Sequence, residues 1–149
     1  MSREMVVGQA LPGFAVDVER DSLRLFARAI GDLRPECHDV DAARAAGYPD
    51  LLMPPTYLFS LELRRPDPYR ALELLGTRLS AALHAGESFR YRQLCFAGDR
   101  LDFDLQITGY TDKRGGALGL LERTASVRRG SELVAELVNV LAIRWDAET

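Results

Sequence analysis

The second half of the chain limits the fold more than any other feature, because it reads as strand after strand. Leu101, Phe103, Leu105 and Ile107 alternate with Asp102, Asp104, Gln106 and Thr108, the period of a strand with one wet face. The stretch 87–96 has the same character through Phe89 and Tyr91. After the turn Lys113-Arg114-Gly115-Gly116 a further strand covers 117–128. Residues 133–145 are apolar on both faces apart from Glu136, Asn139 and Arg144, which suits a central strand. Ala97-Gly98-Asp99 and Arg129-Gly130-Ser131 supply the remaining turns. Four consecutive strands must cover their apolar face with something else in the chain. The segment TYLFSLEL, apolar nearly all round from Thr56, is a helix suited to burial. The expected architecture is α+β, an antiparallel sheet wrapped around that helix.

Upstream, Phe14, Val16 and Val18 suggest a short strand. From about Arg20 the period changes: Leu23, Phe26, Ala27 and Ile30 form one apolar helical stripe, and Gly31 is a natural stop. A second short helix starts near Asp39 or Asp41 as N-cap, runs through Ala42 to Ala46 and stops at Gly47. Pro55 suits the first turn of the buried helix, Arg64-Arg65-Pro66 ends it, and a helical piece is expected around residues 69–75. No linker or repeat divides the chain, so residues 1–149 are read as one domain. A net charge of -3, with the basic residues scattered, excludes a general nucleic-acid binder. No apolar run reaches the ~20 residues that span a bilayer, and the start lacks a secretory leader. Two cysteines without CxxC spacing and two histidines far apart in sequence make neither a disulfide framework nor a metal site. The expectation is a cytoplasmic protein with no metal, cofactor, nucleic-acid or membrane partner.

The residues with chemistry lie on the bend Gly31-Asp32-Leu33-Arg34-Pro35 and just beyond it. Asp32 and His38 put a carboxylate and an imidazole on one loop, a combination able to hold a water and move its protons either way. The Thr56 N–H is the first free amide after Pro54-Pro55, at a helix start, where amides polarise a carbonyl and stabilise a developing oxyanion. Each residue also has a structural role open to it: Asp32 as a turn residue, His38 as a satisfied loop histidine, Pro-Pro-Thr as a plain helix start.

The segment ARAIGDLRPECHDVDAARAAGY followed by LLMPPTYL resembles the pattern G-D-x-N-P-x-H-x-D, then an apolar helix, of MaoC-like and (R)-specific enoyl-CoA hydratases. LHAGESFRYRQLCFAGDRLDFDLQI is similar to the next strands of that family, and the likeness runs from about Val7 to Arg144. It is nearest to the N-terminal type of MaoC dehydratase domain. The resemblance implies a hot-dog fold with a long central helix. It also implies acyl-CoA or acyl-carrier-protein thioesters as substrates, and a homodimer or a heterodimer with another hot-dog protein. By position Asp32 and His38 match the catalytic pair and Thr56 the oxyanion amide. Two departures stand out: the motif's Asn is Arg34, and Glu36-Cys37 places two residues between Pro35 and His38 where active hydratases have one. The longer spacing resembles partner-type domains, some of which shape the substrate tunnel without catalysing.

The implied activity is reversible water addition to a trans-2-enoyl thioester. The alternatives are a non-catalytic subunit that binds the acyl chain beside a catalytic partner, and, third, an acyl-CoA thioesterase, for which Glu62 lies late in the helix. Met53, Tyr57 and Phe59 are candidate tunnel residues, each with core packing as its other role. His84, just before a strand, is a candidate for the pocket mouth, with a satisfied structural histidine as its other role. Arg34, Arg64 and Arg65 have the chemistry to meet CoA phosphates, with a solvated surface the expected place for Arg64 and Arg65. Cys37 lacks a neighbour placed to activate it and is not read as a nucleophile.

Overall fold

A computed structural model describes residues 3–145. After a 3-10 turn at Arg3–Val6, the chain runs through β1 (Ala10–Asp17), α1 (Arg20–Ala29), α2 (Val40–Ala45), α3 (Tyr57–Glu62) and α4 (Arg70–Leu74). It then continues into β2 (Ala82–Tyr91), β3 (Arg100–Lys113), β4 (Leu118–Arg129) and β5 (Glu132–Arg144). The strands form one antiparallel sheet in the order β1-β3-β4-β5-β2. The expected α+β architecture is what the chain adopts.

The sheet follows its alternation. On β3, Leu101, Phe103, Leu105 and Ile107 are buried while their neighbours face out; on β4 the buried register is Leu121, Arg123, Ala125, Val127. The inward apolar face packs on α3, whose Tyr57, Leu58 and Leu61 are buried with Leu23 of α1 and Leu72 of α4 in one core. Phe26 of α1 meets Tyr57 of α3 ring to ring at 5.0 Å. At six residues α3 is shorter than the long helix the resemblance implies. Arg64 and Arg65 close it, and Leu63 already faces solvent. Strand β1 begins at Ala10, earlier than the Phe14–Val18 alternation suggests, because pairing with β3 extends to Ala10 through an irregular register between Leu11 and Phe14. The 87–96 strand is likewise displaced toward the N-terminus, to Ala82–Tyr91, where its partner β5 lies.

Candidate functional site

The bend after α1 is built by a local closure. Gly31 takes a φ of 74°, which an L side chain resists, and the N–H groups of Gly31 and Asp32 donate to Arg28 O (3.1 Å) and Ala27 O (2.9 Å). This pair of bonds fixes Asp32 against the end of α1. Pro35 then starts a 3-10 turn, Pro35–Cys37, whose Cys37 is fully buried with Ala27 and Leu52 in a small apolar cluster flanked by Tyr48 and Phe96. Burial pushes the Cys37 thiol up from its ordinary pKa, so the residue is an apolar anchor and not a nucleophile. Arg24 Nε donates to His38 O at 2.8 Å, and Leu52 N to Glu36 O at 2.9 Å. The loop is thus pinned at both ends and in the middle.

Within this frame Asp32 is already engaged. Arg34 Nε donates to both of its carboxylate oxygens (3.0 and 3.2 Å) and Nη2 to Oδ2 (2.7 Å), while the Arg34 N–H adds a bond to Oδ1. These bonds hold the Asp32 pKa down at about 2. A carboxylate so stabilised is a poor proton acceptor at neutral pH, since a general base works best with a pKa near the working pH.

His38 comes to the same place by a different route. Its Nε2 lies 2.5 Å from the Asp32 carbonyl oxygen, which only accepts, so Nε2 is the donor in this contact. Acid and imidazole are therefore on one loop but meet through the main chain of residue 32, not side chain to side chain. Thr56 is exposed at the N-terminus of α3, and among the described residues no hydrogen bond links it to Asp32 or His38. Met53 and Tyr57 are core residues, with the Tyr57 hydroxyl accepting from Arg64 Nη2 at 3.1 Å. His84 lies elsewhere, stacked on Phe59 at 5.0 Å and lining a cavity of about 390 Å³ between α3 and the sheet.

That cavity holds what sequence reading missed. Glu87 of β2 pairs with Asn139 of β5, and Asn139 with Arg123 of β4, so the three stand in one row across the sheet. Asn139 Nδ2 donates to Glu87 Oε2 at 2.8 Å, and Arg123 donates from Nε (3.2 Å) and Nη2 (2.5 Å) to Asn139 Oδ1. From α3, Glu62 closes the row, 3.6 Å from Arg123 Nη2. Arg65, expected on a solvated surface, is instead part-buried, its side chain 9% exposed, with Nη1 3.2 Å from Glu62 Oε1 and Nη2 on Pro68 O. The loop after α3 folds it inward to meet the carboxylate. Burial, with Arg65 nearby, lowers the Arg123 pKa to about 10, and burial raises that of Glu87. A signal was available: Arg123 falls at i+2 from Leu121 and i−2 from Ala125, a charge in the inward register of a strand.

A short helix packed on a five-stranded antiparallel sheet of this order is the hot-dog fold. Residues 5–137 match the family described as "FAS1-like, dehydratase domain region", and the chain belongs to that family. Among its relatives are a UPF0336 protein of Streptomyces griseus, 31% identical over 137 residues and 91% of each chain, and one of Streptomyces coelicolor, 36% identical over 99 residues. The second match spans 66% of each of the two proteins. In structure the chain is similar to a MaoC-like dehydratase (TM-score 0.83, 23% identical, 96% of this chain and 43% of that one). It is similar also to a chain of the Mycobacterium tuberculosis HadBC (3R-hydroxyacyl-ACP dehydratase) complex (0.75, 23%, 92% and 96%). A third likeness is to the ChsH1-ChsH2 complex of the same organism (0.74, 18%, 94% and 91%). Among the described residues no helix is long and apolar enough to cross a membrane.

Proposed function

We propose that this chain is the acyl-binding hot-dog subunit of a 3-hydroxyacyl-thioester dehydratase, and that a second hot-dog chain with the unaltered acid–histidine motif supplies the groups that move the proton. The reaction is reversible loss of water from a 3-hydroxyacyl-CoA or acyl-carrier-protein thioester to give the trans-2-enoyl thioester. The observation that carries this reading is the Arg34 clasp: the substitution that breaks the motif also occupies the carboxylate the chemistry would need. The cavity between α3 and the sheet gives the acyl chain a place. Two of the structural neighbours come from complexes of paired hot-dog proteins, which supports a paired assembly here.

A second reading rests on the convergence of Asp32 and His38 on one bend, with Thr56 as the amide donor: the chain is then itself the hydratase. One experiment separates them. The purified chain, alone and mixed with a MaoC-like partner, is assayed for hydration of enoyl-CoAs by loss of the conjugated thioester absorbance. The subunit reading expects no turnover from the chain alone, and turnover in the mixture that Asp32→Asn in this chain leaves unchanged. Robust turnover by the isolated chain, abolished by Asp32→Asn or His38→Ala, would replace it with the hydratase reading.

A further inference from the structure

We infer that Arg123, held by Asn139, is the floor of the cavity beside α3 and limits the acyl chain, so that the site takes thioesters of about a dozen carbons or fewer. This rests on the acyl-binding reading above and adds the residue that sets the length.

Burial gives the cavity a direction. Leu63, Leu79 and His84 line it and are exposed, so they stand at its mouth. Phe59, Leu72 and Leu141 supply carbon along its walls, as an alkyl chain requires. Arg123 and Asn139 line the same cavity at 3% and 2% exposure, so they close its inner end. A chain that enters past Leu63 therefore meets carbon first and a guanidinium last.

The floor is held in place. Arg123 donates from Nε (3.2 Å) and Nη2 (2.5 Å) to Asn139 Oδ1, and Asn139 Nδ2 donates to Glu87 Oε2 at 2.8 Å. Glu62 Oε1 lies 3.6 Å from Nη2. An incoming methyl group cannot push this side chain aside without breaking those contacts. Arg123 Nη1 donates to nothing among the described residues. Facing solvent in the cavity, the guanidinium keeps water as a partner. Facing a methyl group, it loses that water and gains no acceptor. The loss exceeds what one more buried methylene returns, so a chain longer than the cavity is deep gains nothing from its last carbons. Volume sets the scale. At roughly 30 Å³ per methylene-sized group, the share of a water molecule in the liquid, a cavity of about 390 Å³ holds about a dozen carbons.

The test uses the full chain and titration calorimetry with saturated acyl-CoAs from butanoyl to hexadecanoyl, each below its micellar concentration. Affinity should rise about fourfold per methylene and stop rising, or fall, by about dodecanoyl. Arg123→Met and Arg123→Lys introduce side chains of similar length, of which only the second is charged. Arg123→Met should carry the rise on to longer chains while butanoyl-CoA binds as before, and Arg123→Lys should leave the break where it stands. In the parent, the Arg123 Nε–H NMR signal should move only with chains at the break length or longer, a measurement that needs no variant to fold. Three results would overturn the inference and leave the acyl-binding reading standing. They are a rise that continues through hexadecanoyl, a break that Arg123→Met leaves in place or Arg123→Lys moves as far, and an Nε–H signal unmoved by every chain. Binding of none of the acyl-CoAs would remove both.

Discussion

Arg34 stands two residues from Asp32, and that spacing decides what the carboxylate does. Both side chains leave the same bend, so the guanidinium reaches both oxygens without any contribution from the rest of the fold. The clasp has a measurable signature. With the Asp32 pKa at about 2 in the folded chain and roughly 3.9 unfolded, the unfolded state binds more protons between these values. The stabilisation is therefore full above about pH 4 and lost as pH falls through about 2. Because Arg34 is 47% exposed in its side chain, solvent limits the contribution to about 1 kcal/mol or less. Arg34→Ala should raise the Asp32 midpoint toward the ordinary carboxylate range, read by NMR titration of the side-chain carboxyl. A midpoint that stays near 2 would mean that backbone geometry, not Arg34, holds the proton off.

Among the elements, β4 carries a cation on its inward face, and its cost and support come from different parts of the chain. Arg123→Met should destabilise by about 1–3 kcal/mol, because Asn139 Oδ1 loses its guanidinium donor and Glu62, 1% exposed, loses the farther of its two cations while keeping Arg65 at 3.2 Å. Adding Glu62→Leu should recover only part of that loss, since it removes the second charge of the pair but leaves Arg65 without its carboxylate. Urea unfolding of the three variants checks this, and an additive double variant would rule out the coupling. For comparison, Leu61→Ala in the fully buried face of α3 should cost about 2–5 kcal/mol through the cavity it leaves. What was legible beforehand follows the same division between local and distant causes. The β3 alternation, the α1 stripe over Leu23, Phe26 and Ala27, and the stops at Gly31 and Gly47 depend on neighbours a few residues away and are present. Ile30, expected in that stripe, instead caps the helix and is 51% exposed. Asp39 as N-cap of α2, accepting from Asp41 N, is of the same kind. The row Glu87–Asn139–Arg123 depends on register between three strands, and the burial of Arg65 on that row being capped by α3. Neither is encoded in any short window. The Asp32–Arg34 clasp is as local as the α2 N-cap, two residues apart, and it leaves Arg34 engaged with a carboxylate of its own loop where the sequence suggests a phosphate ligand.

For the molecule as a whole, the sheet has two edges, and they differ in what they offer another chain. Edge strand β1 carries Pro12, which has no N–H to give, and its register is broken between Leu11 and Phe14. Gly13 there lies so close to Phe103 O that an added Cβ would sit 2.9 Å from it. Proline and bulges are the devices that blunt an edge. The other edge, β2, runs ten residues without proline and presents Leu83 at 72% exposure, with Leu63 and Leu79 also exposed near the cavity mouth. Although its register also shifts between His84 and Gly86, this edge is the longer, has no proline and lies beside exposed leucines. Under the subunit reading it is the edge expected to meet a second hot-dog sheet, which would place the partner next to His84 and the cavity. Under the subunit reading, Leu83→Asp should leave the urea midpoint of the isolated chain within about 0.5 kcal/mol of the parent, as for a surface change. It should nonetheless prevent formation of the mixed dimer with a MaoC-like partner, seen by size-exclusion chromatography with light scattering, and with it the turnover of the mixture. Arg100→Asp, beside β1 at the opposite edge, is the control and should associate normally. Loss of association in the Arg100 variant but not in the Leu83 variant would put the joint on β1 and separate the partner from the acyl cavity.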